Sequence, residues 1–230
     1  MAGERIQYSS KHPSGDATGL LFGKPKSGSK GVVLIHEWWG INKSIVDMAK
    51  RIQEAGFVVL AADVFRGTIY TDYTPALENA KTFDYLTGSR DILAAVQYLK
   101  KAGCSKVGIL GFSFGAALAM VSAAALAKQN VIDAVAPLCG VPRQDIIDLT
   151  KIKCPVQGHY GSKDKAKGIS SPADYNNMSS ILWDAKVDLE MCIYDAGHAF
   201  PNPDYAAYDP DETTKFYANV FAFFHQKLSS

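Results

Sequence analysis

Residues Gly111-Phe112-Ser113-Phe114-Gly115 fit the pattern G-x-S-x-G and lie between an apolar run, Val107–Leu110, and a helical stretch, Phe114–Lys128. A hydroxyl lifted on a sharp strand-to-helix turn is a nucleophile elbow, and Gly111, Gly115 and Ala116 leave the room that such a turn demands. A serine hydroxyl is a weak nucleophile near neutral pH, so it requires a general base and a carboxylate to orient that base. Both follow downstream. The run Val156–Tyr160 leads into Gly161-Ser162-Lys163-Asp164, and Leu189–Tyr194 leads into Asp195-Ala196-Gly197-His198-Ala199-Phe200. This spacing places an acid past the end of one strand and an imidazole past the next, making Ser113, Asp164 and His198 candidate nucleophile, orienting acid and base. Asp195 is the rival acid; three residues before His198, it reads as a brace of the loop.

An oxyanion hole needs one N–H from the residue after the nucleophile and one from the loop after an early strand, here Phe114 and Trp38. The early strand ends in Glu37-Trp38-Trp39-Gly40, which sets a glutamate at the same mouth, where burial would raise its pKa. Trp38, Trp39, Phe112, Phe114 and Phe200, with Tyr70 and Tyr73, are read as walls of a pocket for a compact, planar or apolar acyl group. His36 reads as a strand-end histidine. His12, His159 and His225 lack metal-ligand spacing, so no metal is expected.

The elements that must position these residues alternate between strand and helix. Apolar runs at Val32–His36, Phe57–Ala61, Val107–Leu110, Ala134–Leu138, Val156–Tyr160 and Leu189–Tyr194 suit parallel strands covered on both faces. Helical spacing marks Lys43–Ala55, Asp91–Lys101, Phe114–Lys128, Asp174–Asp184 and Glu212–Lys227. Arg5–Ser9 and Gly19–Phe22 read as an antiparallel edge hairpin. The connections Asp63–Gly88 and Cys139–Lys153 are long, as substrate-contacting loops often are. The fold class is therefore α/β, a mostly parallel twisted sheet with helices on both faces, in a single domain over residues 1–230.

Composition narrows the partners. The 230 residues carry 24 Lys+Arg against 23 Asp+Glu, net +1, with 47% hydrophobic residues. Without a basic patch there is no footprint for nucleic acid or an anionic membrane, and a small molecule is the expected partner. The first ten residues lack a secretory apolar core and no run is long enough to span a bilayer, so a cytoplasmic protein, monomer or homodimer, is expected. Cys104, Cys139, Cys154 and Cys192 show no framework and read as small hydrophobes in a reducing compartment.

Taken together, these residues resemble the dienelactone hydrolase family of α/β-hydrolases. The family's marks are E-x-x-G, D-x-[FY]-x-[RG], G-x-C-x-G, G-x-x-D and A-G-H-x-F. They read here as Glu37-Trp38-Trp39-Gly40, Asp63-Val64-Phe65-Arg66-Gly67, the Ser113 elbow, Gly161 to Asp164, and Ala196 to Phe200, in order along nearly the whole chain. The resemblance implies the α/β-hydrolase fold and cleavage of a small ester or lactone through an acyl-enzyme, without cofactor. Two departures bear on the substrate. The family's nucleophile is usually cysteine, activated with help from the counterpart of Glu37, whereas this chain has serine and must depend on His198. Family enzymes that take muconate-type lactones hold the carboxylate with arginines, one just after the catalytic histidine, where this chain reads Pro201-Asn202-Pro203-Asp204. Arg66, with Lys163 and Lys165 behind it, is the candidate anion anchor. The alternatives are a general serine carboxylesterase or thioesterase without lactone preference, a member disabled by the Cys-to-Ser exchange, and a non-catalytic ligand-binding member of the fold.

Overall fold

The structure is a computed structural model that describes residues 3–229; Met1, Ala2 and Ser230, included in the single-domain expectation, lie outside the described residues. Eight strands form one sheet: β1 (Glu4–Tyr8), β2 (Ala17–Phe22), β3 (Ser29–Ile35), β4 (Val58–Asp63), β5 (Cys104–Phe112), β6 (Ala134–Leu138), β7 (Val156–Gly161) and β8 (Leu189–Tyr194). Their spatial order is β1-β2-β4-β3-β5-β6-β7-β8. Only β2 runs against its neighbours; β4, β3, β5, β6, β7 and β8 pair in parallel. This is the α/β-hydrolase arrangement, with the expected edge hairpin at its start.

Among the described residues six α-helices cover the sheet: α1 (Lys43–Glu54), α2 (Tyr73–Thr82), α3 (Tyr85–Lys101), α4 (Phe114–Ala125), α5 (Pro172–Asp184) and α6 (Pro210–Lys227). Side chains alternate across a strand, so β3 sends Val33 and Ile35 to one core with α3, α4 and α5, and Val32 and Leu34 to another with α1 and α6. Every residue of β4 and β7 is buried, as two-sided cover requires. Even Gln157 in β7 is accommodated, its amide donating to Glu190 across the β7/β8 pair at 2.8 Å.

Local chemistry sets the helix ends. The Asn42 side chain accepts from the Ile45 N–H to start α1, and Ser171 and Asp174 cap α5 reciprocally, with Pro172 in the first turn. Two segments differ from expectation. The helix expected from Asp91 begins at Tyr85, where Asp84 caps it by accepting from the Thr87 N–H, and the long connection Asp63–Gly88 contains α2, which buries only Ala76 and so carries no strong apolar stripe. The helix after the elbow ends at Ala125, followed by a 3₁₀ turn at Ala127–Gln129. Cys104, Cys139 and Cys154 are buried and Cys192 half-buried, all unbridged. Among the described residues no helix is long and apolar enough to cross a membrane, and no group of His, Cys, Asp and Glu could hold a metal ion.

Candidate active site

The carboxyl ends of β3, β5, β7 and β8 bring the candidate residues to one edge of the sheet, the edge where α/β sheets place their ligands. β5 ends at Phe112, and Ser113 adopts φ 52°, a left-handed conformation rare for a residue with a side chain, before α4 begins at Phe114. The Ser113 N–H donates to the Leu138 carbonyl of neighbouring β6 at 2.7 Å, and the Ala116 N–H closes the turn on the Ser113 carbonyl at 2.9 Å. Glycine is required on both sides. A Cβ at position 111 would collide with the Gly115 backbone, and one at 115 with the Ile35 and His36 carbonyls of the neighbouring strand.

The Ser113 Oγ lies 3.4 Å from His198 Nε2, and His198 Nδ1 lies 2.9 Å from Asp164 Oδ2. The first separation is long for an O–H···N bond, as unliganded sites often are before substrate tightens them. Asp164 is 3% exposed, and its other oxygen accepts from the Ala166 N–H at 2.8 Å. A further hydroxyl joins them: Ser170 Oγ sits 2.7 Å from Asp164 Oδ2 and 2.9 Å from His198 Nδ1. Asp195 stays outside this chain, pairing on the surface with Lys163 at 2.9 Å.

Glu37 is fully buried but does not reach the nucleophile. Asn202 Nδ2 donates to one carboxylate oxygen at 2.8 Å and the Tyr205 hydroxyl to the other at 2.6 Å, while Trp39 Nε1 donates to Tyr205 at 2.9 Å. Burial pushes the Glu37 carboxyl from its ordinary 4.5 up to about 7, although both hydrogen bonds and the His198 imidazole oppose the rise. Trp39 thus acts through Tyr205. Its ring meets Trp38 edge-on, and Tyr73 packs on Trp38 from outside.

Beside Ser113 lies a cavity of about 770 Å³, walled by Trp38, Leu77, Ala80, Phe83, Tyr85, Leu86, Phe114, Ala117, Val141, Ile146 and Ile169, with Lys81, Asp84, Arg143 and Asp145 among its polar lining residues. Phe114 is the centre of an aromatic cluster, its ring 4.9 Å from Phe83 and 5.3 Å from Tyr85. As the first residue of α4 it has an N–H without an intrahelical acceptor. The Trp38 N–H lies in the turn that the Gly40 N–H closes on the Glu37 carbonyl. These are the two amides expected to hold an oxyanion.

Four expected substrate contacts, Arg66, Phe112, Phe200 and Tyr70, are corrected, and Trp39 and Tyr73 likewise stand outside the cavity wall. Arg66 is absent from the cavity wall; its guanidinium grips the Asp91 carboxylate at 2.8 and 3.0 Å and also donates to the Asp16 carbonyl, tying the loop after β4 to α3. Phe112 and Phe200 are fully buried in the α1/α6 core, Phe200 against Tyr194 and Phe216. They support the elbow and the histidine loop from beneath. Tyr70 likewise packs on Phe65. Conversely, Ser170, Asn202, Tyr205 and the walls supplied by α2 and α3 were not anticipated: they are ordinary loop and helix residues until the fold closes, although the length of the Asp63–Gly88 connection signals that something beside the site is built there.

Comparison with known proteins identifies the family and the fold. The profile of the dienelactone hydrolase family matches residues 18–228. Protein usf of Aquifex pyrophilus is 30% identical over 217 residues, covering 89% of this chain and 91% of that protein. A carboxymethylenebutenolidase of Pseudomonas putida is 25% identical over 208 residues, covering 84% and 85%. Among solved structures, a dienelactone hydrolase-like promiscuous phosphotriesterase from metagenomic libraries superposes with a TM-score of 0.82 at 20% identity over 99% of both chains. An esterase of Pyrococcus furiosus superposes with a TM-score of 0.72 at 15% identity, covering 99% of this chain and 93% of that one. The chain therefore belongs to the dienelactone hydrolase family and is a hydrolase of the ester- and lactone-cleaving kind.

Proposed function

We propose that this chain hydrolyses a small ester or lactone through an acyl-enzyme formed on Ser113. The observation that carries the reading is the line of hydrogen-bonding atoms from Ser113 Oγ through His198 to Asp164, opening onto the cavity. His198 Nε2 takes the Ser113 proton as Oγ bonds to the substrate carbonyl carbon, and Asp164 holds the imidazolium. The carbonyl oxygen, now an anion, is received by the Trp38 and Phe114 amides. When the tetrahedral adduct collapses, the bond to the leaving oxygen breaks and that oxygen takes the proton from His198; in a lactone it stays attached to the acyl group. Water then repeats the sequence and frees Ser113.

Glu37 takes no proton from Ser113 in this scheme. It is held by Asn202 and Tyr205 and close to half protonated at neutral pH. The cavity favours a planar or apolar acyl group, since most of its walls are aromatic or aliphatic. The second reading, a general carboxylesterase or thioesterase without lactone preference, is favoured by one observation: Arg66 is committed to Asp91, and Arg143 at the cavity to Asp145 at 2.5 Å. Steady-state hydrolysis of aryl acetates, thioesters and an unsaturated γ-lactone, in wild type and His198→Ala, tests both. Loss of all turnover in the variant supports the triad; full turnover overturns it, and the ratio of lactone to ester rates separates the two substrate readings.

A further inference from the structure

We infer that Ser170 is a positioning residue of the catalytic triad, a fourth group that fixes the tautomer of His198. The inference rests on the triad reading above. Three atoms, Ser170 Oγ, Asp164 Oδ2 and His198 Nδ1, stand within 2.7–2.9 Å of one another. Their hydrogens admit one consistent arrangement. A carboxylate only accepts, a hydroxyl has a single proton, and a neutral imidazole carries one N–H. With Asp164 ionised, its Oδ2 draws the Ser170 hydroxyl proton, so the Ser170 oxygen faces His198 as an acceptor. The imidazole N–H must then sit on Nδ1, where both oxygens receive it, and the lone pair is left on Nε2, toward Ser113.

The surroundings make this arrangement hard to replace. Ser170 is fully buried. Its N–H donates to the Ala166 carbonyl at 3.0 Å, and the Ala166 N–H in turn donates to Asp164 Oδ1 at 2.8 Å, so one loop wraps the carboxylate and presents the hydroxyl. The Ser170 oxygen also gives the imidazolium a second acceptor as Ser113 loses its proton. Ser170 touches neither the cavity nor the reacting atoms, so its effect falls on the chemical step and not on substrate binding.

The test is steady-state kinetics of full-length wild type, Ser170→Ala, Ser170→Thr and His198→Ala on one aryl ester, with thermal midpoints measured alongside. The expected result is a fall of about tenfold in kcat for Ser170→Ala, the loss that removing one neutral hydrogen bond from the transition state gives, with KM unchanged within about twofold. Ser170→Thr, which keeps the hydroxyl, recovers most of the loss. Unchanged kcat in Ser170→Ala, or a loss that tracks the thermal midpoint and is not recovered by threonine, overturns the inference while leaving the triad standing. Full activity of His198→Ala overturns the triad reading itself.

Discussion

Asp164 and Glu37 stand at the carboxyl edge of the same sheet, both shut away from solvent, and their surroundings treat them in opposite ways. Asp164 receives a backbone N–H, a hydroxyl and the His198 imidazole, whose charge its own can answer. Glu37 receives only neutral donors, the Asn202 amide and the Tyr205 phenol, and burial raises it to about 7. The two carboxylates thus differ in their partners: Asp164 meets the imidazole that faces Ser113, and Glu37 meets an amide and a phenol. In the mechanism proposed above, the general-base work falls on the Asp164 side. A hydroxyl nucleophile needs a base, and His198 is the group proposed to serve the serine that this chain carries at the elbow.

The largest expected consequence is at Asp164. Asp164→Asn removes the acceptor that holds the Nδ1 proton, and kcat/KM should fall by about a thousandfold or more, read by ester hydrolysis at pH 7.5. By contrast, Glu37→Gln should keep kcat/KM within about tenfold, because the amide oxygen can still accept from Asn202 and no catalytic proton passes through the site. An equal loss in the two variants would break the comparison.

Stability sharpens it further. Glu37 binds its proton more tightly folded than unfolded, so between pH 4.5 and 7 the folded state holds more protons and stability falls as pH rises. At about 1.4 kcal/mol per unit, the rise from 4.5 to 7 corresponds to roughly 3 kcal/mol, a ceiling for the group's contribution. Urea unfolding of wild type should therefore show a decline across this window that Glu37→Gln lacks. Tyr205→Phe leaves one buried carboxylate oxygen without its donor and should cost about 1–3 kcal/mol at pH 8, where Glu37 is charged, and less at pH 5. The smallest effect on catalysis belongs to Arg66. Its side chain is 26% exposed and holds the buried Asp91 carboxylate, so Arg66→Ala should lower stability by about 3 kcal/mol and still leave KM for an anionic ester unchanged. A KM that rises severalfold would restore Arg66 as a substrate anchor.

What the sequence disclosed follows from how local each signal is. The elbow was legible because a side chain at Gly111 would strike the start of α4 and one at Gly115 the end of β3, a constraint written in residues close together in the chain. The strands were legible because two-sided burial leaves continuous apolar runs; Phe112 belongs to such a run, and it shares with Leu110 the face that packs into the α1/α6 core and not the pocket. α2 escaped notice because a helix that buries one alanine has no periodic stripe to show. Arg66 was misread because nothing near it in the chain reveals a partner 25 residues on. Ser170, Asn202 and Tyr205 became functional candidates only through contacts made across the folded site.

The central claim, that Ser113 is activated from the Asp164 side and not by Glu37, is tested most directly by covalent labelling. Intact mass after exposure to a fluorophosphonate, followed over time in wild type, Ser113→Ala, Asp164→Asn and Glu37→Gln, reads the activated hydroxyl without reference to a natural substrate. The account predicts a single adduct on Ser113 in wild type and in Glu37→Gln at comparable rates, none in Ser113→Ala, and labelling slowed by about a hundredfold or more in Asp164→Asn. No adduct in wild type, or labelling slowed as much by Glu37→Gln as by Asp164→Asn, would contradict it.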